Sequence, residues 1–116
     1  MPLSLEGKVF CSVANAVNGE VDGNTVFRFS QKGSIVSAVY EGGSIAQGHL
    51  LATMDAQGNL EMRYHHLNRD GHFKIGKCRS TYALLADGRL RYDEQWQWLC
   101  DDFSTGTSAI EEVPLE

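Results

Sequence analysis

Arg79, Glu94, Tyr64 and His66 are the side chains of this 116-residue sequence whose types could together recognise a small molecule, provided one surface presents all of them. An arginine fork binds a carboxylate through two parallel hydrogen bonds. Glutamate, tyrosine and histidine would fix the orientation of polar groups, while Trp96, Trp98, Met62 and Tyr92 would supply the apolar wall. Other chemistries fail on spacing. His65 and His66 are consecutive, so in a strand they face opposite ways and cannot grip one ion. Glu111 and Glu112 face apart for the same reason, which removes an acid and base pair. No glycine cluster precedes a helix that could hold phosphate, and Cys78 and His66 fall on opposite faces in the register derived below. No motif supports an enzyme claim; neither cofactor nor metal is expected.

The elements that must position these residues are read from the turns. Asn18-Gly19 with Asp22-Gly23, Lys32-Gly33, Gly42-Gly43, Gln57-Gly58-Asn59, Asp70-Gly71, Asp87-Gly88 and the stretch from Ser104 to Gly106 punctuate the chain at short intervals. Gly after Asn, Asp or Lys supplies the positive φ of tight hairpins. Between them lie alternating segments rich in β-branched and aromatic residues. Strands are expected at Gly7–Ala14, Thr25–Gln31, Ser34–Tyr40, Ser44–Met54, Leu60–Leu67, His72–Tyr82, Arg89–Leu99 and Thr107–Val113, with a bulge or bend at Gly48. No capped helical period interrupts them, so the pairing is antiparallel. Closing the meander removes both edges. The expected fold is all-β: a single domain, 1–116, forming an eight-stranded antiparallel up-and-down barrel.

The alternation from Leu90 to Trp98 places Leu90, Tyr92, Glu94, Trp96 and Trp98 on the inner face. Two-residue turns at Asp87-Gly88 and Asp70-Gly71 would then bring Ile75, Lys77, Arg79 and Thr81 inward, beside Leu60, Met62, Tyr64 and His66. A three-residue loop at Asp87 would instead turn Cys78, Ser80 and Tyr82 inward; both lengths remain open on sequence. The first inner face is more polar than a filled core tolerates. It therefore describes a cavity for a partly apolar ligand bearing an anionic or hydrogen-bonding group. The alternative is a closed network, with Arg79 paired to Glu94 inside a solid core and the protein acting through its surface as an interaction domain.

Composition narrows the partners. The formal charge of -5, with scattered basic residues, argues against nucleic acid, and the apolar runs are far too short for a membrane-spanning helix. Cys11, Cys78 and Cys100 are an odd set that fits reduced thiols better than a disulfide scaffold. With no leader pattern at the start, cytoplasmic residence is expected. Val9, Cys11, Leu50, Leu67 and Leu99 cannot all face inward, which leaves an apolar outer patch and points to a homodimer.

Asn18-Gly19-Glu20-Val21, Tyr64-x-His66, Gly76-Lys77-Cys78-Arg79-Ser80, Asp87-Gly88-Arg89-Leu90 and Trp96-Gln97-Trp98 together resemble a family of small bacterial proteins, mostly uncharacterised. Members often carry the label N-acetylglutamate synthase. The resemblance implies a calycin-like or lipocalin-like barrel and brings no active site with it. The label conflicts with the residues: acetyl-CoA pyrophosphate is held at a helix N-terminus entered through Arg or Gln, two residues, then Gly. No Arg or Gln here has Gly three positions later.

Overall fold

The computed structural model describes residues 3–114. Its strands are β1 (Val9–Ala14), β2 (Val26–Lys32), β3 (Ile35–Gly42), β4 (Ile45–Met54), β5 (Leu60–Asn68), β6 (Phe73–Leu84), β7 (Leu90–Trp98) and β8 (Thr105–Val113). They pair in chain order, all antiparallel, and β1 closes on β8 through Val9↔Val113 and Cys11↔Glu111. Alternation drives each pairing: Phe27 and Phe29 are buried between exposed Arg28 and Ser30, and Val36, Ala38 and Tyr40 repeat the pattern on β3. Slipping any strand by one residue would put these groups in water.

Three hairpins share one turn chemistry, and it sets the register of β6. Asp55 and Asn59, Asn68 and His72, and Leu85 and Arg89 each bracket three residues ending in Gly58, Gly71 or Gly88, at φ of 85°, 85° and 91°. In each, the glycine N–H donates to the carbonyl of the first bracketing residue, at 3.1, 3.0 and 2.9 Å respectively. This is a turn closed by a left-handed residue, a conformation that favours glycine. The extra residue shifts β6 by one: Tyr64 opposes Gly76 and Glu94 opposes Ser80. The two-residue reading is thereby corrected. Cys78, Ser80 and Tyr82 turn inward, while Ile75, Lys77, Arg79 and Thr81 face outward.

The interior has two halves. Leu5, Phe10, Phe29, Leu60, Tyr92 and Ile110 fill the end bearing the β4–β5 and β6–β7 hairpins, with the Phe10 ring 5.1 Å from Phe29 and 6.0 Å from Tyr92. Burial of each such side chain contributes about 1.5–3 kcal/mol. Tyr92 donates its hydroxyl to Gly58 O at 2.8 Å, so it belongs to the packed half and not to a ligand wall. At the other end the chain crosses the mouth as a strap, residues 15–25, between β1 and β2.

Large rings near the mouth fit because glycines lie beside them. A Cβ on Gly76 would stand 2.4 Å from the Tyr64 ring, and one on Gly106 would stand 2.3 Å from Trp96. Gly48 serves the same purpose and is not a bulge: it pairs in register with Tyr40 and His66, and the irregularity falls between Ile45 and Gln47. Leu50 faces inward. Exposed apolar residues of the strands include Ile35, Val39, Leu51, Phe73 and Ile75 on β3 to β6, with Val13 on β1 and Leu84 at the end of β6 apart from them.

Candidate functional site

Beneath the strap lies a cavity of about 60 Å³. A single water needs roughly 10–15 Å³, so the space exceeds a packing defect. Strands contribute Phe27, Tyr40, Leu50, Met62, Tyr64, His66, Cys78, Glu94, Trp96, Trp98 and Ser108 to its wall; the strap and its entry contribute Asn15, Ala16, Gly19, Glu20 and Val21. Met62, Tyr64, His66, Glu94, Trp96 and Trp98, all expected on the inner face, line this one space.

Arg79 does not. It projects from the outer face and pairs with Glu61 at 3.1 Å, its side chain 71% exposed. The one-residue register shift on β6 is the cause. Exposed pairs contribute about 0–1 kcal/mol, so Arg79→Met is expected to change unfolding free energy by less than about 1 kcal/mol. Urea denaturation checks this; a loss of several kcal/mol would mean that Arg79 supports the interior after all.

Glu94 is a carboxyl with no cation paired to it among the described residues. Ser80 Oγ donates to Oε2 at 3.2 Å and Ser108 Oγ donates to Oε1 at 3.1 Å. Burial raises its pKa to about 7, against the opposing pull of these two hydroxyls. The residue is half-buried, and part of its surface faces the cavity. The same burial pushes the Cys78 thiol up, reinforced by Glu94, so Cys78 offers no thiolate nucleophile near neutral pH.

A second polar group latches the strap. His66 Nε2 and Glu20 Oε1 are 2.8 Å apart, Asn68 Nδ2 donates to Glu20 Oε2 at 3.0 Å, and Ser44 Oγ donates to the Glu20 carbonyl at 2.6 Å. Burial holds His66 below the usual imidazole range despite Glu20, which pulls it the other way. Neutral His66 then donates from Nε2 to Glu20, leaving Nδ1 to accept from the Tyr40 hydroxyl at 3.0 Å. Trp98 Nε1 donates to Asn18 O at 3.0 Å, a further tie from barrel to strap.

The aromatic wall is continuous. Trp98 lies 5.6 Å from Trp96, 6.1 Å from Tyr64 and 5.8 Å from His66, all at steep angles. Both rings face inward; Trp98 is buried, whereas Trp96 is only half-buried. Sequence reasoning missed Glu20, Tyr40 and Ser108 as lining residues and reached Cys78 only through the three-residue loop at Asp87. Alternation after Val36 and Ala38 pointed Tyr40 inward; nothing local marked Glu20, whose partner His66 is 46 residues away.

A closed antiparallel meander, packed at one end and hollow beneath a strap at the other, is the architecture of barrels that hold one small ligand. The family model described as "Avidin-like protein" matches residues 3–113, and the chain belongs to the avidin-like family, whose barrels bind small ligands. That assignment agrees with the calycin-like expectation and lends no support to the N-acetylglutamate synthase label. Among solved structures, apo shwanavidin in its P1 crystal form is similar with a TM-score of 0.61 at 7% identity, over 97% of this chain and 98% of that one. A search of curated proteins returns no match.

Proposed function

We propose that the barrel binds a small, largely apolar molecule in the cavity beneath residues 15–25, with Met62, Tyr64, Trp96 and Trp98 as its wall and Glu94 and His66 as polar anchors. One observation carries this reading: an ionisable carboxyl faces an aromatic-walled space with, among the described residues, only two serine hydroxyls as partners. A closed structural network would match that charge, and Arg79, its expected partner, lies outside. The expectation of a carboxylate-bearing ligand is abandoned with Arg79, because the charged residues lining the cavity are Glu20 and Glu94.

The test is a fragment screen by two-dimensional amide and indole NMR on the full chain. Bound fragments are expected to shift the Trp96 and Trp98 indole signals together with Tyr64 and Gly19. Shifts confined to the outer face of β3 to β6 would contradict the cavity reading and favour the interaction domain.

The reading includes a homodimer in a bacterial cytoplasm that meets neither nucleic acid nor lipid. Three free thiols support a reducing compartment. Outward charges such as Glu61, Arg63, Lys77, Arg79 and Asp93 interrupt the apolar band a lipid-facing barrel would need. Register aligns Val39, His49, His65 and Ile75 in one outer row, flanked by exposed Leu51 and Phe73. Such a patch suits a two-fold contact. Light scattering at micromolar concentration is expected to give twice the monomer mass; the monomer mass would remove the dimer.

A further inference from the structure

We propose that the ligand is a small organic cation, an alkylammonium ion whose charge meets the Glu94 carboxylate while its chain lies against Trp96, Trp98 and Tyr64. The inference rests on the cavity-binding reading above and sharpens it to one charge type. Of the two acidic residues lining the cavity, Glu20 is committed to His66 and Asn68. Among the described residues Glu94 receives only hydroxyl hydrogen bonds. A carboxylate has about four acceptor positions across its two oxygens. Two serine donors therefore leave capacity for an ammonium.

No lysine or arginine lines the cavity among the described residues. Lys74 comes nearest in role, with Nζ 5.5 Å from the Trp98 ring centroid. Its charge is already met by Asp101, with Glu20 3.9 Å away. Trp98 thus already accepts one ammonium against its ring, as the negative face of an indole allows. An anionic ligand would face two carboxylates in an apolar surround, which costs far more than it gains. Size limits the chain: a dry cavity of about 150 Å³ holds benzene. The space here is about 60 Å³. With the strap closed, a straight chain of a few heavy atoms fits and a ring does not.

The pH dependence follows from the groups around Glu94. Tyr64 on β5, Cys78 on β6 and Tyr40 on β3 are held neutral by burial, and Asp93 adjoins it on the outer side of β7. Glu20 and neutral His66 complete the set. An alkylammonium stays charged to about pH 10, as lysine does. Binding therefore tightens as Glu94 ionises and weakens as it is protonated.

The experiment titrates the full chain with n-butylammonium, 1-butanol and butyrate at pH 6 and pH 8, following the Trp96 and Trp98 indole signals. Butylammonium is expected to bind best at pH 8 and to weaken by about tenfold at pH 6, the change in ionised fraction of a group titrating near 7. Glu94→Gln is expected to remove both the preference and the pH effect while 1-butanol still binds, which shows the cavity is formed. Equal or better binding of 1-butanol or butyrate by the unaltered protein, or butylammonium binding indifferent to pH, overturns the cation while leaving a binding cavity. Failure of every probe to shift either indole overturns the cavity reading with it.

Discussion

Glu94→Gln is expected to stabilise the protein by roughly 3 kcal/mol at pH 8 and by less than about 1 kcal/mol at pH 5. In the folded state Glu94 titrates near 7, against 4.5 as its ordinary value. Between those values the folded protein holds a proton that the unfolded chain has released. Stability is therefore lost as pH rises from about 4.5 to about 7 and stays low above that. Glutamine keeps the shape and has no charge to bury; its amide oxygen accepts from one serine hydroxyl while its amide N–H donates to the other serine oxygen. His66 has the opposite sign: its folded pKa is depressed, so its contribution is lost as pH falls below the ordinary imidazole value. Subtracting the variant's curve from that of the unaltered protein cancels the His66 contribution, since the two side chains share no hydrogen bond. Chemical denaturation at both pH values is the check. A variant destabilised at pH 8, or equally affected at both, would mean that Glu94 has a charged partner in the folded protein. A substitution that improves stability where it removes binding is the mark of a group retained for function.

Gly48→Ala is expected to cost at least about 2 kcal/mol, a large effect for one methyl group. The new Cβ would stand 2.5 Å from two atoms of the Tyr40 ring and 2.8 Å from the His66 Cβ. Neither neighbour can retreat easily. Tyr40 stacks on Phe27 at 5.1 Å and is hydrogen-bonded to His66, which is tied in turn to Glu20. The strain should therefore also loosen the strap. Gly23→Ala is the control, because nothing lies within 4 Å of where its new methyl group would stand and its φ is not positive. Its effect should stay within about 0.5 kcal/mol. Thermal unfolding of both, with strap amide exchange rates, checks the pair. Equal stability of the two variants would show that the Tyr40 to His66 contact is not close-packed.

The barrel was legible because glycine turns and strict alternation speak locally, and every strand falls within two residues of its expected limits. The site was legible strand by strand. On β5 and β7 the alternation of Met62, Tyr64 and His66, and of Glu94, Trp96 and Trp98, decides the face without reference to neighbours. On β6 the face was inferred through two hairpins, and a one-residue error in loop length turned Arg79 inward. Its own pattern held the answer: Gly76, Cys78 and Ser80 alternate with Lys77 and Arg79, and burying the charged set is the costlier choice. Glu20 was beyond reach because its strap has no period and its partners are distant in sequence.

The most direct measurement of the central claim is the ¹³C titration of the Glu94 side-chain carboxyl in the full chain, alone and with millimolar n-butylammonium. Alone, the midpoint is expected near 7; with the cation it should fall, because a bound positive charge favours the carboxylate. A midpoint near 4.5, its ordinary value, unmoved by the cation, would contradict the account.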